Sequence, residues 1–209
     1  MNYKNLAICF MFFLLLSSCK SKYSYLQNGD LIFIQAKEEN LSGAISRVTK
    51  KENIPSYDHI GIIEKNRKDL FVLHAAPEKG SIKENIKDFL KDYNSRTIDV
   101  YRLKKEYNLS IDQAIQKANS LLKRPYNVSY VLNENSYYCS DFIERSFRKD
   151  SIFQLNPMTF INPKTGKTDE YWQEFYKKLN IAIPEGSPGC NPNGLSQSEK
   201  IFKVSTLKH

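Results

Sequence analysis

The order of apolar and polar positions predicts an alternation of strands and short helices. After the turn signal Gly29-Asp30, with Asp30 capping the turn, the run Leu31-Ile32-Phe33-Ile34 reads as a strand buried on both faces. Leu41, Ala44, Ile45 and Val48 step by three and four, which predicts a helix over 41–50 closed by Lys50-Lys51 and a loop with Pro55. Asp58 to Ile63 and Asp69 to Ala76 read as strands, and the four polar residues Lys65-Asn66-Arg67-Lys68 between them predict a hairpin. Beyond Pro77-Glu78-Lys79-Gly80, the spacing of Ile82, Ile86, Phe89 and Leu90 predicts a helix, and Thr97 to Leu103 a strand.

Ser110-Ile111-Asp112-Gln113 reads as a capping box opening a helix whose apolar face is Ala114, Ile115, Ala118, Leu121 and Leu122. Arg124-Pro125 ends it, because proline disfavours helix for the residue before it. A polar turn, Asn133 to Ser136, then feeds a helix with Cys139 at its start. Phe142, Ile143 and Phe147 form its buried stripe, and Asp141, Glu144, Arg145 and Arg148 are expected to face water. Thr168 to Leu179 predicts a helix burying Trp172, Phe175 and Tyr176, and residues 197–206 a short edge strand. No internal repeat, dinucleotide fingerprint or P-loop is present.

Cys139 carries the first chemical signal. A thiol in the first turn of a helix feels unpaired backbone N–H groups and the positive end of the helix dipole, which favour the thiolate nucleophile. The chain has three histidines, His59, His74 and His209, and two of them sit on the paired strands. That pairing predicts a nucleophile, a base and an orienting group in Cys139, His59 and His74. Tyr57, Tyr126 and Tyr138 are candidate substrate-binding side chains, and the Cys139 backbone N–H is the expected oxyanion donor, with Tyr57, Tyr137 or Tyr138 able to add a hydroxyl.

Three motifs in order, Gly29-Asp30-Leu31-Ile32-Phe33, Asp58-His59-Ile60-Gly61-Ile62 and Tyr138-Cys139-Ser140-Asp141-Phe142-Ile143, resemble the YiiX/YebB-like branch of the permuted papain-like (NlpC-type) cysteine hydrolases. The resemblance spans about residues 27–195. It implies an α+β, circularly permuted papain-like fold with a small antiparallel sheet packed against helices. By the same likeness Cys139 matches the nucleophile and His59 the general base, while the third polar position, often Glu in relatives, falls on His74. It implies amide hydrolysis without a cofactor or metal, with cell-wall peptides or related small peptides as default substrates and lipid acyl groups as the alternative.

Residues 1–18 read as an export signal, with Lys4 ahead of the apolar run Leu6 to Leu16, a run short for a membrane span. Leu16-Ser17-Ser18-Cys19 resembles the bacterial lipobox, which implies lipidation at Cys19, a tether over 19–27 and a single domain over 28–209. The expected place is therefore the cell envelope, on a bacterial membrane facing periplasm or exterior. Cys139 and Cys190 are then the remaining thiols; a disulfide between them is the competing reading, with Cys190 expected to be incidental in an irregular Pro/Gly-rich loop.

Apolar residues at 41% and aromatics at 12% argue for a folded core. The formal charge of +8 is spread along the chain, which suits anionic envelope polymers or headgroups as partners better than nucleic acid. Two rivals to catalysis stand beside it. One is a lipid-anchored protein that binds a peptide or amino acid in the same cleft; the other is a zinc site from His59, His74 and Cys139, three donors without the usual ligand spacing.

Overall fold

The computed structural model describes residues 22–207 apart from Asn53 and Lys68, so the signal segment, Cys9, Cys19 and His209 lie outside the described residues. In chain order the elements are β1 (Leu31–Gln35), α1 (Asn40–Thr49), β2 (Tyr57–Asn66), β3 (Asp69–Ala76), β4 (Gly80–Asn85), α2 (Ile86–Asp92) and β5 (Ile98–Leu103). They continue as α3 (Ser110–Ser120), α4 (Cys139–Phe147), β6 (Asn156–Pro157), β7 (Ile161–Asn162), β8 (Lys167–Thr168), α5 (Glu170–Leu179), β9 (Pro188–Gly189), α6 (Pro192–Leu195) and β10 (Ile201–Leu207).

Six strands form one sheet in the order β10-β5-β1-β2-β3-β4, each neighbouring pair antiparallel. Alternation along the strands sends apolar side chains to both faces. Leu31, Phe33, Ile60, Ile62 and Leu73 meet Phe142, Ile143 and Phe147 of α4 and Ala114 and Ala118 of α3 on one face. Ile32, Ile34, Ile63, Val72 and Val100 meet Phe89 and Leu90 of α2 on the other. β1 is thus buried on both faces, as its unbroken apolar run requires. A third cluster joins Ala44 and Val48 of α1 to Phe160 and to Trp172 and Tyr176 of α5.

Four local expectations need correction. Gly80 to Asn85 is a strand, not helix: Ile82, Ile86, Phe89 and Leu90 span a strand-to-helix junction, and the helix starts only at Ile86, with Asn85 Oδ1 accepting from the Lys87 N–H at 2.9 Å. Gly80 makes the β3–β4 turn possible, because its φ is +67° and a Cβ there would lie 2.3 Å from the Arg124 carbonyl oxygen. The capping box does not form; Ser110 is already inside α3 and its hydroxyl donates to the Tyr107 carbonyl at 2.7 Å.

The polar side of α4 is the third correction. Asp141, Glu144 and Arg145 are buried, and only Arg148 is exposed. The loop before α4 covers them, and Arg145 donates to Asp141 Oδ1 at 2.7 Å, to Glu134 Oε1 at 2.7 Å and to the Asn133 carbonyl at 2.9 Å. Burial pushes the Asp141 carboxyl up to about 6 against the pull of Arg145. The fourth concerns the loop around Cys190, which is not wholly irregular, since it holds β9 and α6.

Candidate active site

The site forms where two strands part. The ladder between β2 and β3 runs from Asn66↔Asp69 to Ile62↔Leu73 and stops there. Ile63 exchanges hydrogen bonds with Gly29 and Asp30 on the β1 side, so by alternation the Asp58 carbonyl and the Ile60 N–H point towards the opening beside β3. Pro77, which follows β3, has no N–H to continue the ladder.

The N-terminus of α4 brings the Cys139 thiol into this fork. Cys139 Sγ lies 3.9 Å from the Asp58 carbonyl oxygen, and the backbone N–H groups of Ser140, Ile60 and Cys139 itself face the sulfur. Both Asp58 carboxylate oxygens accept from Arg96 Nη2 at 2.6 Å, and Arg96 Nε donates to the Gln35 carbonyl at 2.9 Å, beside the β1–β2 register shift.

His59 and His74 meet by strand parity. One step beyond the last β2–β3 pair, Ile62↔Leu73, come Gly61 and His74, and His59 is two residues from Gly61, so parity sends both rings to the same face. Glycine at 61 packs close to β3: a Cβ there would lie 2.7 Å from Val72 Cγ1 and 3.4 Å from His74 Cβ. His59 Nε2 and His74 Nδ1 are 2.9 Å apart, and His74 Nε2 is 2.6 Å from Glu84 Oε1. Tyr93 stacks on His59 with centroids 5.4 Å apart, and Phe89 packs edge-on against His74 at 5.1 Å.

Hydrogen-bond direction along this row follows from Glu84. Burial raises its pKa, but the hydrogen bonds from His74 and Lys79 outweigh that and hold the carboxyl below its ordinary value. A carboxylate only accepts, so His74 Nε2 carries a hydrogen and donates to Glu84. In the tautomer with His74 Nδ1 unprotonated, His59 Nε2–H donates to it and His59 Nδ1 is the basic nitrogen. Burial, His74 and Arg96 together hold His59 well below its ordinary pKa, so the ring is neutral at pH 7.

The thiol departs from the expectation of a depressed pKa. Cys139 is only 5% exposed, and burial, with the nearby Asp58 carboxylate, pushes it up to about 12 against the backbone N–H groups. The Cys139 thiol and the His59 imidazole, which line the same cleft, are both neutral at pH 7. The cysteines Cys139 and Cys190 are both free. Cys190 is more than incidental, lining the same cleft with its N–H donating to the Tyr138 hydroxyl at 3.2 Å.

Cys139 and His59 line one cleft of about 720 Å³, and His74 lies behind His59. Of the three tyrosines expected at the substrate, Tyr126 and Tyr138 line it. Tyr57 does not: it is fully buried, with its hydroxyl donating to Asp99 at 2.7 Å. Tyr137 donates to the Glu134 carbonyl at 2.9 Å. The hydroxyl beside the Cys139 N–H belongs to Tyr126, next to Tyr130, and it is set there by the Asn127 N–H to Tyr137 carbonyl bond at 3.1 Å. Glu84, Tyr93, Arg96 and Tyr130 belong to this surrounding and were not singled out by the sequence reading. A strand-period reading of Gly80 to Asn85, placing Glu84 on the face of His74, was the available signal for the first.

The sequence profile described as permuted papain-like amidase enzyme, YaeF/YiiX, C92 family, matches residues 25–205. The chain belongs to the permuted papain-like amidase family. This family is one of cysteine hydrolases, so the chain is a permuted papain-like amidase. Among solved structures, the chain is similar to YiiX from Escherichia coli O157:H7, at 19% identity and a TM-score of 0.68, over 86% of this chain and 96% of that one. No curated protein matches.

The YiiX structure is titled a metalloprotein. The donors of this amidase do not fit a metal centre: His59 and His74 spend three of their four ring nitrogens on each other and Glu84. Among the described residues no group of three or more His, Cys, Asp or Glu is placed to hold an ion.

Proposed function

We propose that this amidase cleaves its amide bond through Cys139 as nucleophile and His59 as general base, with His74 and Glu84 positioning that base. The observation that carries this reading is the row Glu84, His74, His59 ending at a cleft that the Cys139 thiol, at a helix N-terminus, also lines. Buried imidazoles ordered by a carboxylate answer a chemical need that a binding module does not have.

The thiol proton passes to His59 Nδ1 as sulfur attacks the carbonyl carbon. The charge that grows on His59 is stabilised through His74 by Glu84, so the neutral resting pair becomes ionic only as the C–S bond forms. The Cys139 N–H and the Tyr126 hydroxyl are the donors nearest the developing oxyanion. The imidazolium returns its proton to the nitrogen of the amine as the C–N bond breaks, leaving a thioester on Cys139. Water, deprotonated at the same ring nitrogen, then releases the carboxylic acid and restores the thiol.

The motif ending at Cys19 supports an exported protein held by acyl chains on a bacterial membrane, and the substrate is an amide of the envelope, a peptide or an acylated compound. Trapping the thioester on Cys139 by acid quench and peptide mass spectrometry tests the assignment: an acyl adduct on Cys139 supports it, and turnover without one contradicts it.

A further inference from the structure

The Glu84 carboxylate has two partners. Its Oε1 faces His74 Nε2 at 2.6 Å, and its Oε2 accepts from Lys79 Nζ at 3.0 Å. Lys79 sits in the turn between β3 and β4, and its Nζ also donates at 2.5 Å to Oδ2 of Asp92, the last residue of α2. Tyr93, the next residue, is the ring stacked on His59. One ammonium thus ties together the β3–β4 turn, the β4 carboxylate and the helix end that covers the base.

Its charge matters as much as its place. The Glu84 anion favours a proton on the imidazole pair, and the Lys79 cation, held charged by Asp92 and Glu84, opposes it. The other charged or titratable groups around the pair come from four elements. β2 adds Asp58, the link from α2 to β5 adds Arg96 in its ion pair with Asp58, and α4 adds the Cys139 thiol. α2 adds the Tyr93 hydroxyl and the exposed Lys87, Asp88 and Lys91, and the turn adds the exposed Glu78. Lys83, beside Glu84 on β4, points the other way by alternation and pairs with Glu64 at 2.8 Å.

We infer that Lys79 is a positioning residue of the relay: it fixes the Glu84 carboxylate and the end of α2 around the imidazoles, and its cation lowers the pH at which the His59–His74 pair takes up a proton. The inference rests on the reading of that pair as the base acting on Cys139. His59 then stays neutral, and able to take the thiol proton, to lower pH. Removing the cation removes its repulsion of an imidazolium, so protonation moves to higher pH, opposite in direction to removal of the Glu84 anion.

The test follows the histidine rings of the full-length protein in detergent by nitrogen-15 NMR as pH is varied, since the chain has three histidines, His59, His74 and His209. In Lys79→Met the apparent pKa of the pair is expected to rise by about half a unit, the size of one screened charge a few ångströms away, and in Lys79→Arg, which keeps the charge, to stay within about 0.2 unit of wild type. A lower melting temperature with both titrations unmoved would make Lys79 a packing residue of the turn and overturn the inference, as would a shift to lower pH. A titration moved by Glu84→Gln and not by Lys79→Met overturns the lysine alone and leaves the relay. A titration moved by Lys79→Met in a protein that never acylates Cys139 upholds the tuning of the imidazoles and overturns their catalytic reading.

Discussion

His59 and His74 face each other through Nε2 and Nδ1 at 2.9 Å, and the carboxylate of Glu84 holds the far nitrogen of His74 at 2.6 Å. Glu84→Gln keeps the size of the side chain and removes the charge. The activity is expected to fall roughly 10- to 100-fold in kcat/KM, the range for a lost orienting partner of an imidazole. Without the anion the imidazolium is less stable, so the acid limb of the pH–rate profile moves to lower pH. A purely structural glutamate would leave that limb where it was, and an unmoved limb contradicts the relay.

How far the sequence reveals this site depends on how local each cause is. The hairpin, its register and the meeting of two histidines follow from period-two alternation and a four-residue turn, which are local, and β1 and α4 are equally readable. Glu84 was hidden because apolar residues on a strand and the helix after it happen to fall at helical spacing. Tyr93 and Arg96 sit at the end of α2 and in the link to β5, where no period marks them. Burial of Asp141, Glu144 and Arg145 depends on the path of a loop that their own pattern cannot report.

Alkylation of Cys139 reports its resting ionisation. With burial holding the thiol at about 12 and His59 below its ordinary value, the thiolate fraction grows about tenfold per pH unit across the range from 6 to 10. The rate of reaction with iodoacetamide, followed by mass spectrometry at Cys139, should therefore climb through that range without a plateau. A plateau near neutrality would mean a resting thiolate–imidazolium pair.

Gly61→Ala tests the close packing of Gly61 on Val72, next to His74. The new Cβ, 2.7 Å from Val72 Cγ1, overpacks the sheet face and should cost about 1–3 kcal/mol. For a domain of this size that lowers Tm by about 2–4 °C per kcal/mol in a thermal melt. Adding Val72→Ala, which removes the clashing methyl, should recover part of the loss; a Tm unchanged in the single variant contradicts the packing.

Membrane attachment is tested in cells by Cys19→Ser. On the proposed anchor, the wild type should partition into the detergent phase and the variant should leave it, because the acyl chains proposed on Cys19 would be lost. Wild-type protein found in the aqueous phase with an unmodified cysteine at 19 contradicts the anchor.

The most direct test of the central claim traps the intermediate. Wild-type protein is mixed with an activated acyl amide, quenched within one turnover in acid, and mapped by peptide mass spectrometry. The account predicts an acyl adduct on Cys139, absent from Cys190, formed about 10²- to 10⁴-fold more slowly in His59→Ala, the range for loss of a general base. Hydrolysis without an adduct, an adduct on Cys190, or acylation as fast in His59→Ala as in wild type would contradict it.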